Sequence, residues 1–374
     1  MKPLRILIAP SGFKESLEPD EAAACIEKGI RRVLDNATSI VRRMPVHDGG
    51  EGFCNALVAA KGGEIRPITV LGPHKTPIPS HYGVIGEDRR TAVLDMASAA
   101  GLRLGCTKII IGCGDSGTSD GGAGMLQALG ARLLDDNDRE LPTAAGGGSL
   151  IHLRSICLDG LHPRLLDSRS GGQAIEMEAV CNINNILCGS NGVARVYGPQ
   201  KGATPAQVHV LSRAMDNLAR AATPVLGYDM SSAPGGGASG GLGAGLLLLG
   251  ARLRPRVAAI DEYFQLQQTL DSGWDIVFTA EGALDSQSTK GKMTGEVARK
   301  ARAQGAYVIA LVGTISTGAN SVYEDGFSAF SSILDSPLSL DDAIQQTASL
   351  LTSAAERTMR VVQVGLSLRS RDGL

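Results

Sequence analysis

The stretch that most restricts the fold is residues 109–125, Ile-Ile-Ile-Gly-Cys-Gly-Asp-Ser-Gly-Thr-Ser-Asp-Gly-Gly-Ala-Gly-Met. Three β-branched residues favour a short buried strand, and six glycines follow between Gly112 and Gly124. The apolar run from Met125 to Leu134 reads as a helix. A strand, a loop with little Cβ bulk and a helix N-terminus gather backbone N–H groups around one point, which suits an anion such as phosphate. A tight strand-to-helix turn without a ligand fits this stretch equally well. In both readings it is a β-loop-α unit, and a chain that repeats such units builds a parallel sheet with helices on its faces.

The unit recurs at both ends of the chain. Residues 4–10 read as a strand, 11–16 as a loop and 19–34 as a helix; a strand at 39–45, a loop at 47–52 and a helix at 53–61 follow. The same order returns with a strand at 275–280, a polar loop at 281–292, a helix at 294–304, strands at 307–313 and 327–333, and a terminal helix at 339–365. Five short hydrophobic strands alternating with helices predict a flavodoxin-like doubly wound parallel sheet built from residues 1–63 and 271–374. Residues 64–270 then form an inserted second α/β domain, and two domains are natural for 374 residues. The insert opens with strands at 65–71, 79–85 and 90–95 of mixed character, and adds a buried strand at 176–181 and a helix at 205–222.

Composition removes several classes of function. A net charge of −2 and 3% aromatic residues give no general attraction for nucleic acid and few rings to stack bases. Seven cysteines without a C-x-x-C pair, and six histidines without metal-ligand spacing, point to reduced thiols in a cytoplasmic protein. The chain opens on a strand rather than a signal segment, and the apolar run 242–249 is too short to span a bilayer.

Six polar, glycine-bearing loops stand out, at 11–16, 47–52, 112–122, 182–185, 198–202 and 281–292. Ligands of open α/β sheets bind beyond the carboxyl ends of strands, so these loops are expected to converge on a cleft between the two domains. None has the G-x-x-x-x-G-K-[ST] pattern, and Gly112-x-Gly114 lacks the third glycine and downstream acid of a dinucleotide fingerprint. Lys14, Lys201 and Lys292 can supply point charge to phosphates. Asp48, Glu51, Asp120, Glu281 and Asp285 can hold Mg²⁺ or accept a hydroxyl proton. Taken singly, each reads as a surface charge or a cap; Asp20 and Asp115 read as caps, and Asn184 and Asn185 as left-handed turn residues. The recurrence of one loop type carries the signal. Cations on phosphates, a metal and an oriented hydroxyl are what phosphoryl transfer requires.

At this point the chain resembles the type I glycerate kinase family, from residue 4 to about 365. The motifs are I-A-P-S-G-F-K-E-S-L at 8–17, D-G-G-E-G at 48–52, S-D-G-G-A-G-M-L-Q-A-L-G at 119–130, N-N-I-L-C-G at 184–189, G-P-Q-K-G-A at 198–203, G-A-S-G-G-L-G at 237–243 and E-G-A-L-D-S-Q at 281–287. The resemblance implies ATP-dependent phosphorylation of D-glycerate to 2-phosphoglycerate, on an α/β fold with an inserted second domain. It leaves a homodimer open. Ser11 and Asn182 stand where the family usually has Asp, and Ala280 where it has Gly. A loop and helix that the family carries after Leu104 are absent, so Gly105-Cys106-Thr107 leads straight into the strand.

On this reading Lys14, Lys201 and Lys292 neutralise phosphate or carboxylate charge. Asp48 orients or deprotonates the acceptor hydroxyl, and Glu51 and Asp285 hold Mg²⁺. Ser11, Gly49, Gly50, Gly114, Ser116, Asp120, Asn182, Asn184 and Glu281 join Lys201 in lining the substrate or phosphate. Two other readings stay open: a catalytically silent relative that binds a small organic acid or nucleotide, and a kinase for another small hydroxy acid.

Overall fold

The computed structural model describes residues 2–13, 16–47, 49–50, 52–71, 76–95, 106–114, 116–166, 175–284 and 292–371. The chain opens with β1 (Leu4–Ile8), α1 (Pro19–Arg31), β2 (Ser39–Arg43), α2 (Phe53–Lys61), β3 (Gly63–Leu71), β4 (Pro77–Ile85), β5 (Thr91–Asp95) and β6 (Lys108–Gly112). Next come α3 (Ala123–Ala128), β7 (Arg132–Leu134), β8 (Ser155–Cys157), α4 (Pro163–Leu166), β9 (Glu176–Cys181), α5 (Val193–Tyr197), α6 (Pro205–Leu226) and α7 (Ala238–Leu248). The last elements are β10 (Arg252–Pro255), α8 (Arg256–Phe264), α9 (Leu266–Asp271), β11 (Ile276–Leu284), α10 (Met293–Ala303), β12 (Tyr307–Ile315), β13 (Ala329–Ser332) and α11 (Leu340–Arg371). The elements gather into two compact units, Met1–His47 with Ile260–Leu374, and Asp48–Ala259.

The first unit holds a five-stranded sheet in the order β13-β12-β11-β1-β2, parallel throughout. Parallel strands bury both faces, which is why Ile6–Ile8 of β1 and the start of β11 are continuous apolar runs. Ile6, Ile8, Phe278 and Leu311 pack with Ile26 and Ile30 of α1 and Leu351 and Ala355 of α11. Leu7 and Val277, which alternate with them, are equally buried and face the other side; α10 packs there on β11 and β12. The start of α1 is set by a capping box between Glu18 and Glu21 with proline in the first turn. Its crossing with α11 is very close. A Cβ on Gly29 would lie 2.3 Å from the Thr352 carbonyl oxygen, 2.7 Å from the Ala355 Cβ and 2.9 Å from the Glu356 nitrogen.

The second unit is built on a six-stranded mixed sheet in the order β10-β9-β6-β5-β4-β3, with β5, β6, β9 and β10 parallel. Ile109, Met177 and Ala179 join Leu126, Leu150, Met215, Leu218 and Leu246 in one large core. The units divide at 47/48 and 259/260, where strand grammar placed the joins at 63/64 and 270/271; α2 packs on β4 and β5 of the second unit.

Two local differences from the sequence reading follow. The helix expected over 125–134 stops at Ala128. Gly130 then turns the chain with φ +102, at a point where a Cβ would sit 2.1 Å from the Gly160 carbonyl oxygen, and Arg132–Leu134 pairs as a strand with β8. Glu281–Leu284, expected as loop, extends β11 and stays paired with β12 as far as Leu284 and Ile315. In the sheet of the second unit β5 and β6 are direct parallel neighbours, Thr91 opposite Lys108 and Asp95 opposite Gly112. Only residues 96–107 join them, close to the dozen or so that a parallel crossover requires. Among the described residues no helix is long and apolar enough to cross a membrane.

Candidate active site

In the second unit, loops gather at the carboxyl ends of β6 and β9. The Cys113 N–H donates to the Val180 carbonyl at 2.9 Å. Against this wall the turn at Gly49 and Gly50 comes backbone to backbone: a Cβ on Gly112 would lie 2.6 Å from the Gly49 oxygen, and one on Gly114 would lie 2.6 Å from the Gly50 Cα. The approach explains these glycines sterically, whatever they bind. A third glycine stretch closes the same wall, since the Gly121 N–H donates to the Gly240 carbonyl at 3.0 Å. To fit there, Ser239, Gly240 and Gly241 are all left-handed, with φ of 50, 69 and 91.

Lys201 is delivered to this place by a three-residue helical turn, Pro199–Lys201, closed by left-handed Gly202. Its Nζ donates to Ser116 Oγ at 2.7 Å and to the Thr118 carbonyl at 2.6 Å. Burial pulls the amine below its ordinary range, and the charge of Asp120 opposes that shift. Both acceptors are neutral, and Lys201 has no ion pair among the described residues. A half-buried ammonium resting on neutral oxygens favours an anion beside it.

Asp120 proves to be structural in its contacts. Its Oδ1 accepts from the Gly122 N–H at 3.1 Å and its Oδ2 from the Gly124 N–H at 3.2 Å, which ties down the start of α3. Asn182 does likewise, its Oδ1 accepting from the Asn184 N–H at 3.1 Å, while Asn184 is exposed. Neither Asn184 nor Asn185 adopts the left-handed conformation; the Asn185 Oδ1 accepts from the Tyr197 hydroxyl at 2.8 Å.

In the first unit the candidate residues collect where β1 meets β11. Chain connections leave the sheet in opposite directions there, and such switch points are where open α/β sheets bind ligands. The Ser11 N–H and hydroxyl both donate to the Ala280 carbonyl, at 3.0 and 3.1 Å. Buried Glu281 accepts from Lys292 Nζ at 3.1 Å and from the Thr294 hydroxyl at 2.9 Å. Lys292 also donates to the Ala283 carbonyl at 3.2 Å. Two predicted residues, Glu281 and Lys292, are therefore each other's partners. Lys14, Asp48, Glu51, Asp115 and Asp285 lie outside the described residues.

One residue at this end escaped sequence reasoning. His47, 3% exposed, places Nε2 3.0 Å from Asp20 Oδ2. Its ring stacks on Phe264, with centroids 6.2 Å apart and planes at 24°. Its Nδ1 is buried and has no hydrogen-bond partner among the described residues. Asp20, expected as a helix cap, is instead the imidazole's partner, because Glu18 occupies the cap. The signal was present in the H-D-G-G-E-G string, but the Asp20 end of the contact lies 27 residues upstream.

The described donors can be tested against Mg²⁺, which takes one or two carboxylates and completes its shell with water and substrate phosphates. Asp120 and Glu281 are engaged by amides and by Lys292 and Thr294 respectively. Among the described residues no group of three His, Cys, Asp or Glu side chains could hold a metal.

Comparison with known proteins adds an independent line. The model of the glycerate kinase family matches residues 6–105 and 102–363, two stretches that overlap at residues 102–105. The chain is 39% identical to a glycerate kinase of Halalkalibacterium halodurans, over 96% of this chain and 97% of that one. It is 38% identical to a glycerate kinase of Bacillus subtilis, over 98% of each, and 35% identical to the glycerate 2-kinase of Escherichia coli, over 97% of this chain and 99% of that one. A crystal structure from Salmonella typhimurium LT2, described as a glycerate kinase 2, is similar with a TM-score of 0.72 and 33% identity, covering 98% of this chain and 100% of that one.

Proposed function

Since the chain belongs to the glycerate kinase family, we propose that it moves the terminal phosphoryl group of ATP to the 2-hydroxyl of D-glycerate, with Mg²⁺ as its metal. That it is a phosphotransferase acting on glycerate follows from the family itself. The observation that carries the finer reading is Lys201, a half-buried cation held on the neutral oxygens of Ser116 and Thr118 with no ion pair among the described residues. Such a group stabilises phosphate or carboxylate charge and loses little by being preorganised for it.

The other residues divide the work as follows. Gly114, Ser116 and Lys201 hold an anion, with Gly49 and Gly50 backing the wall and Asp120 fixing its helix. Ser11, Asn182, Asn184 and Glu281 line the substrate or phosphate, and Lys14 and Lys292 supply further positive charge. Asp48 orients the acceptor hydroxyl. Glu51 and Asp285 would hold Mg²⁺, which when bound neutralises charge on the transferring phosphates. We read the first unit as a flavodoxin-like doubly wound domain; taken from the β2 edge its strands run 2-1-3-4-5 in their own chain order, the order of that fold.

The test is release of ADP by the purified protein given D-glycerate and Mg-ATP, coupled to a spectrophotometric reporter. Turnover with glycerate above that with glycolate or erythronate is the expected result. A folded protein with no turnover above background would overturn the reading and favour the silent relative, for which the broken family match at residues 102–105 speaks. Calorimetry would then show binding of glycerate or nucleotide without reaction.

A further inference from the structure

We propose that His47 is the group that takes the proton from the acceptor hydroxyl, with Asp20 holding its ring for that task. The proposal rests on the kinase reading above and leaves Asp48 the role of orienting the hydroxyl. Four observations carry it. His47 is almost wholly buried, in the segment that follows β2. Backbone bonds from Met44 to Ile8 and from Val46 to Pro10 run this segment alongside the end of β1, so the imidazole stands at the carboxyl end of the sheet, where ligands of such sheets bind. Nε2 is 3.0 Å from Asp20 Oδ2. Nδ1, the other ring nitrogen, is buried and has no hydrogen-bond partner among the described residues.

The chemistry follows from these positions. The hydrogen bond from His47 holds the Asp20 carboxyl below its usual range, so it is ionised at neutral pH and can only accept. A carboxylate at Nε2 selects the tautomer whose ring proton lies on Nε2, which leaves the lone pair on Nδ1. The carboxylate fixes tautomer and ring orientation, as the acid does in hydrolase triads, and the stack on Phe264 restrains the ring plane. A histidine serving only the core would spend its second nitrogen on a backbone carbonyl. This one does not, and an unpaired buried polar atom needs an explanation. In the reaction, Nδ1 accepts the hydroxyl proton while the hydroxyl oxygen bonds to the terminal phosphorus of ATP. The bond from that phosphorus to the ADP oxygen breaks, and ADP leaves with the electron pair. The imidazolium, stabilised by Asp20, returns its proton to water once the products have gone.

The test uses the full chain and the ADP-release assay. His47→Gln should lower kcat by about 100-fold or more, the usual reach of a general base, while the KM values for glycerate and ATP stay within about threefold. Imidazole added to His47→Ala should restore part of the lost kcat. Asp20 is 67% exposed at its side chain, so Asp20→Asn will fold even if the His47 variants do not. It should lower kcat by about tenfold or more, because an amide no longer fixes the tautomer. Full kcat in folded His47→Gln or in Asp20→Asn would overturn the proposal, as would a folded His47→Ala that imidazole does not rescue. Wild-type protein assayed in parallel separates the two levels: turnover retained by the variants sinks this proposal alone, whereas a silent wild type sinks the kinase reading itself.

Discussion

Gly29→Ala sets two well-measured effects against each other. Gly29 lies within α1, and on helix propensity alone alanine should stabilise it by about 0.8–1.0 kcal/mol. The crossing with α11 opposes this. The new Cβ would meet the Thr352 oxygen at 2.3 Å, the Ala355 Cβ at 2.7 Å and the Glu356 nitrogen at 2.9 Å. Two of these atoms are helix backbone, which cannot swing aside as a side-chain end can. Overpacking of a tight core costs about 1–3 kcal/mol, and rigid neighbours place this site at the upper end. The net expectation is a loss of about 1–2 kcal/mol, which at a urea m-value of about 2 kcal/mol/M lowers the midpoint by roughly 0.5–1 M. The assay is specific because the chain has one tryptophan. Trp274 sits in the same unit, its indole N–H donating to the Thr269 carbonyl at 2.6 Å with Arg5 over its ring, so its fluorescence reports that unit. A raised midpoint would mean that propensity dominates and that α1 and α11 do not pack this closely.

Other consequences are as open to measurement. Lys201→Met keeps the stem and removes the charge; kcat/KM should fall about 100-fold with the fold retained, and an unchanged value would remove Lys201 from the site. Asp20 has a folded pKa below its ordinary 3.8, so its contribution to stability is present above that value and fades as pH falls through the lower, folded one. Asp20→Asn should flatten that acid limb in urea titrations read by Trp274, and superimposable limbs in variant and wild type would count against the pairing with His47. Chelation by EDTA should abolish ADP release and added Mg²⁺ restore it, whereas turnover in EDTA would dispose of the metal. Burial pushes the Cys54 thiol up to about 12; Ellman's reagent at neutral pH should leave it unlabelled until the protein unfolds, and labelling as fast as that of partly exposed Cys157 would contradict its burial.

Much of the architecture was legible because its causes are local. Ile6-Leu7-Ile8 and Ile276-Val277-Phe278 announce buried parallel strands by unbroken apolarity, and α2 and β9 lie where their patterns put them. Glycine was the harder residue to read. Gly112, Gly114 and Gly240 look alike in sequence as loop-formers, yet each stands where another backbone passes too close for a side chain. That requirement exists only once strands far apart in the chain have met. The same limit hid the bond between His47 and Asp20, and it hid that Asp120 accepts from the amides of its own turn. Glu281 and Lys292 stood out as polar residues of one loop, but periodicity could not say that they would face each other.

The two-part assembly of the first unit also sets a timetable for synthesis. Residues Met1–His47 leave the ribosome with β1 and β2 complete, but β11, the other neighbour of β1, belongs to Ile260–Leu374. The 212 residues of Asp48–Ala259 are made in between; at about 5–20 residues per second this takes roughly 10–40 s. For that interval the Ile6-Leu7-Ile8 edge waits unpaired while the continuous second unit can already fold. A nascent chain stalled before residue 276 should accordingly bind chaperones through its first strands, and a circular permutant that joins the natural ends and opens elsewhere would shorten the wait.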